Sequence, residues 1–131
     1  MKIQLQLTSR VVHSGETLSV TVKLTDTSAH DIVVGDCLSI MGVYPAFLDL
    51  RSSRTLSGPG TLSCDAVGII VQPGRSRTYT AQARAFTGIP PKAREQRLPP
   101  GEYLLAVRPL GESRAQFGLD RVPPLEVNVV A

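Results

Sequence analysis

A chain of 131 residues has the size of one domain and can bury roughly two-thirds of the surface that its unfolded form exposes. The 10 Pro and 11 Gly favour short elements joined by turns, and because there is no Trp, the core must come from Val, Leu, Ile and Ala. The net charge is a modest +3, and no apolar run approaches the ~20 residues that a membrane-spanning helix requires.

Alternation of apolar and polar residues predicts strands in the first half of the chain. The alternating apolar positions are Ile3, Leu5 and Leu7, then Leu18, Val20, Val22 and Leu24. A period of two places these side chains on one face of a strand, whereas a helix would scatter them around its circumference. Shorter apolar runs at 32–34 and 47–50 predict a third and a fourth strand.

The second half continues in the same way. Further strands are predicted at 67–71, 79–85, 104–107 and 125–129, separated by turn residues such as those at 57–60 and 72–74. Regular turn signals without a helical period predict an all-β fold, an immunoglobulin-like antiparallel β-sandwich of seven or eight strands that forms one domain over 1–131. A closed barrel is the main alternative.

The stretch from Thr87 to Pro100 lacks any apolar period and is long for a connection in a small domain. Its prolines restrict φ, so less entropy is lost when it docks. We therefore predict that this is a partner-binding loop, with contacts made by Pro90, Pro91, Lys92, Arg94 and Arg97. An insertion without a role is the alternative.

Positive charge is concentrated in the middle of the sequence. Residues 51–97 carry eight Lys or Arg against only Asp65 and Glu95, and we expect Arg75, Arg77 and Arg84 to form a basic surface. Such a surface suits a protein partner or an anionic envelope polymer. The neighbouring sequence has few aromatic side chains on which bases could stack, so no specific nucleic acid is expected.

Cys37 and Cys64 are the only cysteines, and they lie on or beside separate predicted strands. We predict that they form a disulfide, as is common in sandwich modules outside the cytoplasm; two buried, reduced thiols are the alternative. A structural zinc site would need four ligands, and these cysteines with the two histidines match no known spacing. No phosphate-binding or hydrolase motif is present, so neither a metal, a cofactor nor an enzymatic activity is predicted.

Two segments carry a family resemblance: 71–79, with its Pro-Gly turn followed by Thr78-Tyr79, and 98–105, which reads Leu-Pro-Pro-Gly-Glu-Tyr-Leu-Leu. This pairing resembles bacterial immunoglobulin-like domains. It is similar to the small proteinase-inhibitor-like sandwiches and to secreted two-cysteine actinobacterial domains of unknown function. The resemblance implies an immunoglobulin-like fold and a location outside the cytoplasm. It implies no active site for this sequence.

The function expected from the sequence is that of a non-enzymatic interaction or structural module, secreted or part of a larger envelope protein. The sequence printed here has no export signal, since Met1-Lys2 leads straight into the first alternating strand. A location in the cytoplasm is therefore the alternative. The alternative function is inhibition of a proteinase through a protruding loop such as Thr87 to Pro100.

Overall fold

The structure is a computed structural model that describes residues 2–34, 43–58, 69–89, 92–109 and 122–131. Within these ranges the chain forms eleven strands: β1 (Lys2–Leu7), β2 (Val11–His13), β3 (Thr17–Thr25), β4 (Ile32–Val34), β5 (Val43–Asp49), β6 (Ile69–Val71), β7 (Ser76–Arg84), β8 (Phe86–Thr87), β9 (Gln96–Arg97), β10 (Gly101–Pro109) and β11 (Leu125–Val130). None of the described residues belongs to a helix that could cross a membrane.

Two main sheets make up the domain. One has the order β1-β3-β7 and the other β2-β11-β10-β5, while β4-β6 and β8-β9 form separate pairs. Equated with the lettered strands of an immunoglobulin sandwich, β1-β3-β7 corresponds to A-B-E and β11-β10-β5 to G-F-C, with β2 added beside G. The predicted all-β, immunoglobulin-like sandwich is therefore confirmed.

The core lies between these sheets and follows the alternation of the sequence. On β3, Leu18, Val20, Val22 and Leu24 are buried, with exposures of 6% or less. The same buried cluster includes Phe47 of β5, and alternate aliphatic residues of β10 and β11. Removing one such aliphatic side chain from water contributes roughly 1.5–3 kcal/mol, which explains why the period-two pattern determines which face points inward.

The sandwich contains one parallel strand pair, and short strands beyond the seven or eight that the sequence predicts. β2 pairs with β11 in parallel, with Val12 opposite Val129. The chain leaves β1 at Leu7, keeps its direction, and joins the edge of the second sheet, which produces the parallel pair. The additional strands are short, and two or three residues are too few to show a period.

A second, smaller apolar cluster, separate from the main core, is formed by alternate residues of β5 and β10. Tyr44, Ala46, Leu48 and Ala106 are buried there. The segment 54–57 pairs with β5, because Leu56 N donates to Phe47 O at 2.9 Å and Thr55 lies opposite Leu48. The Tyr44 hydroxyl donates to Ser57 O at 3.1 Å, so this segment also helps to hold the second cluster in place.

Tyr103, near the start of β10, ties that strand to the turn before it. Its hydroxyl donates to Pro99 O at 2.6 Å, and its ring meets Phe47 edge-on with 6.4 Å between centroids. A hydrogen bond from a Tyr in this strand to backbone a few residues upstream is the tyrosine corner of immunoglobulin-like sandwiches. The Leu98-Pro99-Pro100-Gly101-Glu102-Tyr103 segment therefore has a defined structural role.

Candidate partner-binding site

The stretch that the sequence predicts to be an irregular loop takes part in a short two-stranded pair. In β8 and β9, Phe86 pairs with Arg97 and Thr87 with Gln96. We call the segment 84–98, without residues 90–91, the cap hairpin. The prediction of an irregular connection is therefore wrong only for Thr87, Gln96 and Arg97 of the predicted stretch, because strands of two residues give no recognisable period.

The base of the cap hairpin is fastened to the turn between β2 and β3. Ala85 is fully buried; its N–H donates to Glu16 O at 2.9 Å, and its carbonyl accepts from Gly15 N at 3.2 Å and Leu98 N at 3.0 Å. The Ser14 hydroxyl donates to the carbonyl of Leu98, whose side chain is 1% exposed. The base of the hairpin is thus part of the folded core.

The far end of the cap hairpin is joined to β5 through the segment 54–57. Gly88 N donates to Leu56 O at 3.0 Å, and Gly88 lies in a parallel bridge with Ser57. Ser57 is fully buried, and its hydroxyl accepts from Phe47 N at 2.8 Å. Because both ends are held, the cap hairpin connects the two main sheets at one end of the sandwich.

Gly88 allows the chain to turn at this point. Its φ of +93° is a conformation that L-residues rarely adopt, and a Cβ placed on it would lie 2.3 Å from Arg94 O. Across the turn, Ala93 N donates to Ile89 O at 3.2 Å. The approach of the Arg94 backbone therefore leaves no room for a side chain at residue 88.

The cap hairpin carries more positive than negative charge. Arg84 donates to Glu95 through its two terminal guanidinium nitrogens, Nη1 to Oε1 and Nη2 to Oε2, the second at 3.0 Å, and the guanidinium lies 4.8 Å from the centre of the Phe86 ring. These side chains are 30% and 27% exposed, so the pair contributes no more than about 1 kcal/mol. Within the described residues, neither Arg94 nor Arg97 forms an ion pair, and Lys92 likewise has none. All three of these cations are exposed.

The predicted basic surface is divided by the fold. Arg84 lies opposite Thr17 in the register of β3 and β7, while Arg77 lies opposite Leu24, seven residues away. That separation is roughly 23 Å along the strand, and residues an odd number apart point to opposite faces of a sheet. Arg75 lies in the turn before β7, near Arg77. These three arginines therefore do not form a single surface.

Several predicted residues lie outside the described ranges. Pro90 and Pro91 of the predicted loop belong to this group, as do Cys37 and Cys64 of the predicted disulfide. The described part of the chain contains no group of three or more His, Cys, Asp and Glu side chains arranged to hold a metal ion.

Strand β5 contains two titratable groups with a shifted pKa, Asp49 and Tyr44. The Ser52 N–H donates to Asp49 Oδ2 at 2.9 Å, and the Ser52 hydroxyl donates to the same atom at 2.8 Å. These bonds stabilise the carboxylate and lower the pKa of Asp49. Burial raises the pKa of Tyr44, against a smaller opposite effect of Arg108.

Sequence reasoning missed Gly88 and Ser57 as structural residues of this end. A Gly in a Pro-rich stretch and a Ser before Gly-Pro-Gly both read as ordinary turn residues. Their structural roles come from contacts with residues distant in sequence: Gly88 N donates to Leu56 O, and the Ser57 hydroxyl accepts from Phe47 N.

Comparison with known proteins gives a structural match without a sequence family. No protein-family model matches the sequence, and no curated protein matches it significantly. The β-glucosidase EmGH1 from Erythrobacter marinus matches with a TM-score of 0.58 and 12% identity, over 98% of this chain and 15% of that one. A mutant β-glucosidase from Listeria innocua in complex with laminaribiose matches with a TM-score of 0.54 and 16% identity, over 99% and 16%.

At these identities the matches establish the fold alone. This chain spans about one-sixth of the length of the enzymes that it resembles, since the shares covered are 15% and 16%. It is a small β-domain that resembles one part of much longer β-glucosidase chains.

Proposed function

We propose that this chain is a non-catalytic interaction module that contacts a protein partner, or a further domain of a larger protein, through its cap hairpin. The observation that carries the proposal is the combination of a firmly held backbone with an exposed, positively charged surface. Gly88 and Ala85 fasten the hairpin to both main sheets, while Arg94 and Arg97 remain exposed. A loop ordered before binding loses less entropy when it docks.

The structural neighbours support a role within a larger assembly. In each of those enzymes the matching region is 15% or 16% of the chain, so a sandwich of this shape occurs beside much larger parts of a protein. The absence of phosphate-binding and hydrolase motifs from the sequence supports a non-catalytic role. No glucosidase activity is proposed for this chain.

We further propose that the module is exported, in the cell envelope or secreted. The two cysteines on or beside separate predicted strands and the resemblance to secreted immunoglobulin-like domains support this address. A cytoplasmic location is the alternative.

Site-specific photo-crosslinking in the organism that makes the protein tests the proposed function. A photoreactive amino acid replaces Arg94 in one variant and Thr80, an exposed residue of β7, in a control. We expect a covalent adduct from position 94 and none from position 80. No adduct from position 94, or equal adducts from both, would contradict the proposal.

The same experiment addresses proteinase inhibition, the alternative function. If the adduct contains a proteinase, its activity is measured with the intact chain and with a variant in which a Gly-Ser link replaces 88–95. Inhibition by the intact chain alone would establish the alternative.

A further inference from the structure

We propose that the partner surface is an acidic protein surface with an apolar pocket, in which the pocket receives Ile89 and carboxylates face Lys92, Arg94 and Arg97. This inference rests on the proposed function and specifies the chemistry of the partner.

Ile89 is the apolar centre of the proposed surface. Its side chain is 37% exposed, and among the described residues the other exposed large aliphatic side chains, those of Val11, Leu50 and Ile70, lie outside the cap hairpin. Its backbone is held on both sides, because Gly88 N bonds to Leu56 O and Ile89 O accepts from Ala93 N. A Cβ on Gly58 would lie 3.5 Å from Ile89 Cγ2, so the side chain also rests against the segment that follows 54–57. An ordered, partly exposed aliphatic side chain is suited to filling a pocket.

The charges of the cap hairpin determine which charge the partner surface is expected to carry. Glu95 is the only carboxylate of the cap hairpin, and its two oxygens are occupied by Arg84. Lys92 and Arg94 lie on either side of Ala93, whose N–H bonds to the Ile89 carbonyl. Arg97 lies at the base of the same hairpin, with its side chain over Gly15, where an added Cβ would be 2.9 Å from Nε. Because Arg84 neutralises Glu95, the hairpin presents three positive charges, which carboxylates complement.

The position of Ile89 favours a protein over an anionic polysaccharide. A polyanion needs only the cations and gains nothing from an exposed aliphatic side chain on the same segment. Protein interfaces, in contrast, combine an apolar centre with a polar rim and are enriched in Arg. The cap hairpin offers both components: Ile89, Lys92 and Arg94 belong to the turn in which Ala93 N donates to Ile89 O, and Arg97 lies at the base of the same hairpin.

Selection from a random peptide library on the immobilised intact chain tests the inference. We expect enriched peptides to contain an aliphatic or aromatic residue flanked by Asp or Glu. Ile89→Ser is expected to weaken binding of a selected peptide about tenfold, the size of effect typical of an interface anchor. The double variant R94S/R97S is expected to weaken binding at least as much and to reduce its dependence on salt.

Matched controls separate specific effects from general ones. Val11→Ser removes an aliphatic residue that is 50% exposed on β2, and R75S/R77S removes two exposed arginines at the other end of the sandwich. Both are expected to bind the selected peptides as the unchanged chain does, and far-UV circular dichroism checks that every variant folds.

Peptides without acidic residues, or without an apolar residue, would overturn the inference, as would no enrichment at all. Equal binding by I89S and the unchanged chain, with heparin retention lost only in R94S/R97S, would identify an anionic polymer as the ligand instead. Each of these results leaves the crosslinking test at position 94 unaffected, so failure of the inference is distinguishable from failure of the proposed function.

Discussion

Replacement of Gly88 by Ala tests whether the cap hairpin is as firmly built as its contacts indicate. Holding Ala at a φ of +93° costs about 1–2 kcal/mol. The new Cβ would also lie 2.3 Å from Arg94 O and 3.0 Å from Arg94 C, which are backbone atoms that cannot rotate away. The turn must therefore open, and the bond from Gly88 N to Leu56 O, worth about 0.5–1.5 kcal/mol, is lost or lengthened. We expect a total loss of about 1.5–3.5 kcal/mol in the free energy of unfolding.

Gly74→Ala is the matched control for Gly88→Ala. Gly74 has a similar φ of +77°, but no atom lies within 4 Å of the Cβ position. It therefore isolates the backbone cost, and we expect a loss of about 1–2 kcal/mol. Urea denaturation followed by far-UV circular dichroism measures both variants. If Gly88→Ala costs no more than Gly74→Ala, the close approach of Arg94 does not constrain the turn, and the argument for a preordered hairpin fails.

Three further predictions concern the tyrosines and cysteines. Tyr103→Phe loses the hydrogen bond to Pro99 O and keeps the ring, so we expect urea denaturation to show about 0.5–1.5 kcal/mol less stability; unchanged stability would exclude a role for the tyrosine corner. Burial raises the pKa of Tyr44 above 10.0, so the folded state favours the neutral phenol. We therefore expect this group to leave the free energy of unfolding unchanged below pH 10.0. As the pH rises from there through the pKa of the folded state, the free energy of unfolding should fall. Tyr44→Phe should show a smaller alkaline decline, and an identical decline in both proteins would contradict this. Finally, we expect Cys37 and Cys64 to be oxidised, so that alkylation without reductant adds no label by mass spectrometry, whereas two labels would contradict both the disulfide and much of the case for export.

The long strands of the sandwich were predictable because their patterns are local. The alternation along 18–24 places four aliphatic side chains on one face, and the structure buries that face of β3. In β10 the same logic holds for Leu105 and Val107, which are 0% and 1% exposed. A strand of nine residues, such as β3 or β10, repeats the pattern often enough to be recognised.

The role of the candidate site stays a prediction, whereas its local structure differs from the one expected. The absence of an apolar period in a Pro-rich stretch drew attention to 87–100, and within the described residues that stretch lies at the end where the two sheets are connected. The pairing of Phe86 with Arg97 could not be foreseen, since two-residue strands depend on contacts elsewhere for their stability. The predicted basic surface was divided because charge clustering in sequence says nothing about the end of a strand at which a residue lies.

The sequence by itself determined the fold class and the inward faces of the main strands, because burial of alternating aliphatic residues is decided by local periodicity. Only the tertiary structure decided that β2 crosses to the second sheet, that Arg84 neutralises Glu95, and that Gly88 must be Gly. Each of these depends on groups that lie far apart along the chain, or that meet only where a turn closes, and their distances are set by how the two sheets pack.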